Sequence, residues 1–167
     1  MVRQRSNSVK WLSAAEVREE DVDVTFIVWL TSRATADLLD ATLAPAGLDG
    51  DEFAIYSVLT AAPAITPTEL ARWMAAPPTT VSSYVKRFEA RGHVKRKLNP
   101  SDRRSYLIKL TPEGRRTHRA AVKLFTPLRS RVAAGLGGQE AQVRDALLTL
   151  RTILDEIRSE PADESQK

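Results

Sequence analysis

The chain has 167 residues, 43% of them hydrophobic and 28% charged, with a net charge of +4 and no cysteine. That length sets one domain, or one domain with helical extensions, large enough to bury a real core. The missing cysteine excludes disulfides, thiolate metal sites and cysteine-based redox sensing. No window approaches 18 uncharged apolar residues, which excludes a membrane-spanning helix. Arg3, Arg5 and Lys10 are not followed by an apolar core with a cleavage site, so the expectation is a cytoplasmic protein.

Residues 1–12 are polar and basic without a period and read as a flexible arm. Ser13-Ala14-Ala15-Glu16 is a capping box, and no proline or glycine follows until Pro45. The spacing predicts a helix of about thirty residues. Val24, Ile27, Val28 and Thr31 form one stripe, while Phe26, Trp29 and Leu30 spread beyond it. A helix apolar nearly all round must be buried nearly all round, which implies a partner surface. Residues 13–47 are therefore assigned to dimerisation. Leu48-Asp49-Gly50-Asp51-Glu52 opens the next helix with acidic residues at its positive end. Phe53, Ile55, Tyr56, Val58 and Leu59 make it a core element, and Pro63 stops it. Ala64-Ile65-Thr66 reads as a short strand able to pair with a later hairpin.

Thr66-Pro67-Thr68-Glu69 combines a cap, a first-position proline and a capping box. Leu70, Ala71 and Met74 supply one apolar face, and Ala76-Pro77-Pro78 breaks that helix. Val81, Val85 and Phe88 are the buried stripe of a second helix, which Gly92 ends. Val94–Leu98 and Ser105–Leu110 are strand-like, with a turn cluster from Asn99 to Arg104 between them. A helix-turn-helix followed by a basic hairpin is a winged helix. Its second helix fits a DNA major groove, and its hairpin reaches the minor groove or the phosphates. Residues 48–111 form this domain. From Thr66 to Arg116 there are 12 basic and 4 acidic side chains, a net +8, so the rest of the chain is −4. Positive charge is concentrated where duplex DNA would lie.

Thr111-Pro112-Glu113 starts a long helix with Pro127 inside it, where a kink is expected. Gly135-Leu136-Gly137-Gly138 is a turn. The last helix carries Val143, Ala146, Leu147, Leu150, Ile153, Leu154 and Ile157, a coiled-coil-like seam. Residues 112–158 join 13–47 in the dimerisation region, and residues 159–167 form a polar, flexible tail. The fold class is mainly α: a winged helix-turn-helix with a small β-hairpin wing, flanked by N- and C-terminal helices for a homodimer. Two-fold symmetry places two reading helices about one DNA turn apart and predicts a near-palindromic site.

Asp102-Arg103-Arg104 with Leu110-Thr111 fits the D-x-R-x-x-x-x-x-L-T wing pattern, and Leu70-Ala71, Thr80-Val81-Ser82 and Glu89-Ala90-Arg91-Gly92-His93-Val94 form a recognition block. Together these resemble the multiple-antibiotic-resistance regulator (MarR) family. Two departures stand out: Ala75 sits where the turn usually has glycine, and Pro77 where a capping serine or aspartate is usual. The resemblance implies a double-stranded DNA-binding transcriptional regulator, a repressor more than an activator. It also implies Asp102 paired with Arg104 so that Arg104 enters the minor groove beside Arg103. On the second helix Thr79, Thr80, Ser82, Ser83, Lys86 and Arg87 lie in the exposed arc. Lys95, Arg96 and Lys97 are consecutive on a strand and cannot all face one way, and Lys95 and Lys97 are assigned to DNA. The family's cleft for a small aromatic or acidic effector points to Trp29, Arg33 and Tyr56, the arginine holding a carboxylate. His93 and His118 have no ligand set around them, so no metal is expected, and no cofactor is expected either. No phosphate loop, G-x-S-x-G or H-E-x-x-H is present, and the chain does not read as an enzyme.

Overall fold

The computed structural model describes residues 22–62 and 64–160. The expected arm, the Ser13 capping box, Pro63 and residues 161–167 lie outside them. The first described helix, α1 (Val24–Leu43), starts later than the capping box suggested. Asp23 caps it by accepting from the backbone N–H groups of Thr25 and Phe26 at 2.8 and 3.2 Å. A single 3₁₀ turn (Ala44–Ala46) follows, with Gly47 left-handed at its end.

Then come α2 (Gly50–Ala61), α3 (Pro67–Met74), α4 (Pro78–Ala90), β1 (Val94–Leu98), β2 (Tyr106–Leu110), α5 (Pro112–Gly135) and α6 (Glu140–Ser159). Among the described residues the chain falls into two units, one reaching to Ala121 and one from Val122 onward. The first holds the core. Tyr56, Phe88, Leu43, Ile55, Leu59, Leu70, Ile108, Val81 and Val85 are its largest fully buried side chains. Each contributes about 1.5–3 kcal/mol by leaving water. Tyr56 meets Phe88 edge-on at 4.8 Å between ring centroids, which pins α2 to α4.

The helix-turn-helix forms as its caps dictate. Thr66 and Glu69 close the capping box reciprocally, at 2.8 and 3.2 Å. Ala75 then takes a left-handed conformation (φ 48°), the only non-glycine with positive φ among the described residues. Pro77 precedes α4 without a side-chain cap. The two departures from the family pattern thus sit where the backbone turns hardest. At the far end of α4, Gly92 is left-handed and His93 N–H returns to the Phe88 carbonyl at 2.8 Å.

β1 and β2 pair antiparallel, with Val94 opposite Leu110 and Leu98 opposite Tyr106. Ile65 joins as a one-residue third strand: Ile108 N–H donates to its carbonyl at 2.8 Å. Thr111 then caps α5 by accepting from Gly114 N–H at 3.1 Å. Gly114 is required there because a Cβ would lie 2.1 Å from the His93 carbonyl oxygen. In the second unit α5 continues through Pro127, and α6 has no buried residue at all.

Two substitutions test these constraints by urea denaturation. Gly114→Ala forces backbone apart and lowers stability by about 1–3 kcal/mol. Ala75→Gly relieves the left-handed alanine and raises stability by about 1 kcal/mol. An unchanged midpoint for either variant contradicts the geometry described.

Candidate nucleic-acid interface

The outward face of α4 carries Thr79, Thr80, Ser83, Lys86 and Arg87, all exposed, with Ser82 half-buried beside them. The buried face of Val81, Val85 and Phe88 fixes that arc, since side chains three and four apart share one side of a helix. Ser83 donates back to the Thr79 carbonyl at 3.1 Å, leaving its oxygen lone pairs to the outside. Arg87 is less free than its spacing suggested. Its guanidinium lies 4.5 Å from the centre of the Tyr84 ring and 3.6 Å from Glu52.

Glu52 is the residue sequence reasoning missed. It is 2% exposed and accepts from one Arg91 nitrogen with both carboxylate oxygens, at 3.0 and 3.1 Å. The Glu52 carboxylate holds the Arg91 guanidinium above its ordinary pKa. A buried carboxylate persists only when paired, so this contact sets where α4 sits on α2. The signal was present: Glu52 shares the 52, 56, 59 spacing of the buried stripe and is not simply a charge at a helix start. Tyr84 adds to the same seam by donating to Asp51 at 2.9 Å, and burial raises the Tyr84 pKa to about 12.

The wing is tied to α4 by Arg96, which grips Glu89 with two hydrogen bonds of 2.8 Å and covers the Tyr106 ring at 4.4 Å. Strand alternation places Lys95 and Lys97 on the opposite face. In the hairpin turn the geometry corrects one expectation. Asp102 accepts from the backbone N–H of Arg104 at 3.0 Å and is not paired with its guanidinium. A carboxylate two residues before an N–H closes a short turn more readily than it reaches a long side chain. The Asp102 carbonyl also accepts from Ser105 N–H at 3.0 Å, and Asn99 donates to Ser105 Oγ at 2.8 Å. The turn is therefore ordered through its backbone, and Arg103 and Arg104 stay exposed.

The expected effector residues are not brought together. Trp29 and Arg33 are exposed one turn apart on α1. Tyr56 is a core residue with 0% exposure, its hydroxyl 2.6 Å from His93 Nδ1. The period that buries Glu52 and Leu59 also buries Tyr56, so it has no surface to offer a ligand. Both histidines serve structural hydrogen bonds. His118 meets Ser57 at 3.0 Å and Thr60 at 3.1 Å. Burial pushes both imidazoles below their ordinary pKa, with Arg91 adding to the effect at His93 and Arg119 at His118. Among the described residues no group of three His, Cys, Asp or Glu is placed to hold a metal ion. No described helix is long and apolar enough to cross a membrane.

The family model for MarR proteins matches residues 46–105, from the end of the 3₁₀ turn before α2 to the wing turn. Over that stretch the chain is similar to the MarR family. The multiple antibiotic resistance protein MarR of Salmonella typhimurium is 26% identical over 102 residues, covering 61% of this chain and 71% of that one. The crystal structure of the Mycobacterium tuberculosis regulator MosR with DNA shares the fold. Its TM-score is 0.73 at 24% identity, over 82% of this chain and 99% of MosR. The transcriptional repressor CouR, solved on a 23-mer DNA duplex, matches at TM-score 0.67 and 26% identity, over 80% of this chain and 94% of CouR.

If the Glu52 clamp organises this domain, Arg91→Met leaves a buried carboxylate with only the longer Arg87 contact. Stability then falls by about 2 kcal/mol, the scale of a lost hydrogen bond to a charged group. The urea midpoint measures it. A loss below about 0.5 kcal/mol, ordinary for a surface site, contradicts the assignment.

Proposed function

We propose that the protein is a homodimeric repressor that binds a near-palindromic operator in double-stranded DNA. The observation that carries this reading is the Arg96–Glu89 pair. It fastens the wing to α4 while Thr79, Thr80, Lys86, Lys97, Arg103 and Arg104 remain exposed. One rigid head then offers hydroxyls and a lysine for the major groove and arginines for the narrow groove, where negative potential attracts them. With a single arginine, itself shared with Glu52, on the outer face of α4, phosphate contacts and groove shape supply much of the recognition.

The likeness to CouR, a repressor solved on duplex DNA, supports the same reading. Such a protein works in the cytoplasm, beside the chromosome. Dimerisation is supported by apolar side chains that a single chain leaves in water. On α1 they include Val24 (58% exposed), and on α6 Leu148 (58%) and Ile157 (59%). An isolated helix with no buried residue is marginal in water, so a second copy is the economical cover. Trp29 and Arg33 suit a small aromatic acid as effector. Ring stacking and a carboxylate pair would bind it, and its binding would shift the population of DNA-competent dimers.

Fluorescence anisotropy on the duplex upstream of its own gene, repeated across salt, tests the DNA reading. Log affinity should fall linearly with log salt. Lys97→Ala should flatten the slope by about 0.9, the value for one phosphate contact. Arg104→Ala should weaken binding at every salt concentration. Salt-independent binding, or full affinity in both variants, contradicts the proposal.

A further inference from the structure

His93 stands at the joint where α4 ends and the wing begins, and its ring reaches back to α2. Its backbone is fixed on both sides. The N–H donates to the Phe88 carbonyl at 2.8 Å, and the carbonyl accepts from Thr111 N–H at 2.9 Å. Its Nδ1 lies 2.6 Å from the hydroxyl of the fully buried Tyr56, with the two rings edge to face. The half-buried ring is therefore a side-chain tie between α2 and the joint.

Counting protons fixes the state of this tie. The Tyr56 hydroxyl also hydrogen-bonds the Arg91 guanidinium. An arginine only donates, so Tyr56 accepts from Arg91 and sends its single proton to His93. That bond needs a bare Nδ1, so the ring is neutral and carries its proton on Nε2. Burial pushes the Tyr56 hydroxyl up to about 12, so it keeps its proton wherever a histidine titrates. Donation thus runs one way, from Arg91 through Tyr56 to His93, while Arg91 also holds Glu52 at 3.0 and 3.1 Å.

A proton on Nδ1 would meet the Tyr56 O–H head-on, and that hydroxyl cannot turn away because a second donor, Arg91, lies on its other side. The charged groups facing the ring pull in opposite directions: Arg91 at the end of α4 repels an imidazolium, and Glu52 on α2 attracts one. Glu52 is already paired with Arg91 and Arg87, so burial and Arg91 prevail and hold the ring below its ordinary pKa. Thr111 and Gly114, which approach the His93 carbonyl from the start of α5, bring no charge.

We propose that Tyr56 and His93 form a proton-operated latch on the joint between α4 and the wing, closed while His93 is neutral and opened when it takes up a proton. Once open, the joint keeps its backbone bonds and the Arg96–Glu89 pair but loses this tie to α2. Acid therefore weakens the fold. A histidine held below its unfolded pKa of about 6.5 costs stability as pH falls through that value, by at most about tenfold in the folding constant per pH unit. The latch belongs to the folded chain and does not rest on the DNA reading.

The test uses the full-length protein without DNA. Ring-nitrogen NMR at about pH 7.5, assigned with His118→Gln, should find His93 neutral with its proton on Nε2. Acidification to about pH 5.5 should shift amides at residues 91–94 and 111–114 and on α2 around Tyr56. Over that interval the urea midpoint should fall in the wild type and fall less in His93→Asn, whose amide oxygen replaces Nδ1 as acceptor and never gains a proton. Tyr56→Phe removes the proton that blocks Nδ1, so His93 should titrate closer to its ordinary value, which loss of a merely structural contact would not cause. A proton on Nδ1 at about pH 7.5 overturns the proposal. So does a midpoint that falls as steeply in His93→Asn as in the wild type, or a His93 titration that Tyr56→Phe leaves unmoved. Acid shifts confined to the His93 ring make it a titrating group without a latch, which also overturns it. Should Tyr56→Phe not fold, the tautomer and the His93→Asn slope decide.

Discussion

The architecture of this domain depends on one buried charge. Glu52 sits almost wholly out of water at the start of α2, where its carboxylate is paired with Arg91 and, at longer range, with Arg87. Both arginines belong to the end of α4, so the carboxylate sets the seating of that helix. Along the same seam Tyr56 packs on Phe88 and Tyr84 bonds Asp51. Arg96 then passes the constraint from Glu89 on α4 to the wing. A chain of polar contacts thus runs from α2 through α4 to β1, with apolar packing beneath it. In the proposed DNA complex, Arg87 would answer to Glu52 and to phosphate at once, which links the stability of the head to its grip.

Much of this was legible in the sequence because local signals agreed with one another. Thr66 and Glu69 announced a capping box and made one. Gly92 stopped a helix whose stripe was Val81, Val85 and Phe88. Even the single-residue strand at Ile65 was visible as an apolar residue between a broken helix and a cap. The wing followed from alternation around a turn cluster, and β2 begins one residue later than the strand-like run.

What escaped has a common physical cause. Side-chain partners distant in sequence are not encoded in periodicity. The position of Glu52 on the buried stripe was readable, yet nothing local said that Arg91, thirty-nine residues on, would meet it. Tyr56 was read both as a core residue of its helix and as part of the effector cleft implied by the family resemblance, and its full burial fits the first reading and not the second. Asp102 was expected to reach a guanidinium and instead closed its own turn, since the backbone N–H two residues away was nearer. No local signal marks Gly114, whose missing side chain leaves the space that the His93 carbonyl occupies. Ala75 and Pro77 were noticed as departures. The structure gives the first its meaning, a left-handed alanine in the turn between α3 and α4.

Charge and exposed apolar surface divide the work along the chain. Basic side chains gather from α3 to the start of α5, whereas α1 and α6 leave apolar side chains in water. In the proposed assembly the first set meets DNA and the second meets a second copy, so that two heads act on one duplex. Hydroxyl-radical footprinting of the purified protein on its upstream DNA addresses that pairing most directly. The account predicts two symmetric protected patches, their centres about 10 bp or a multiple apart. A single protected patch at saturating protein, with no second half-site on the same face of the duplex, would contradict it.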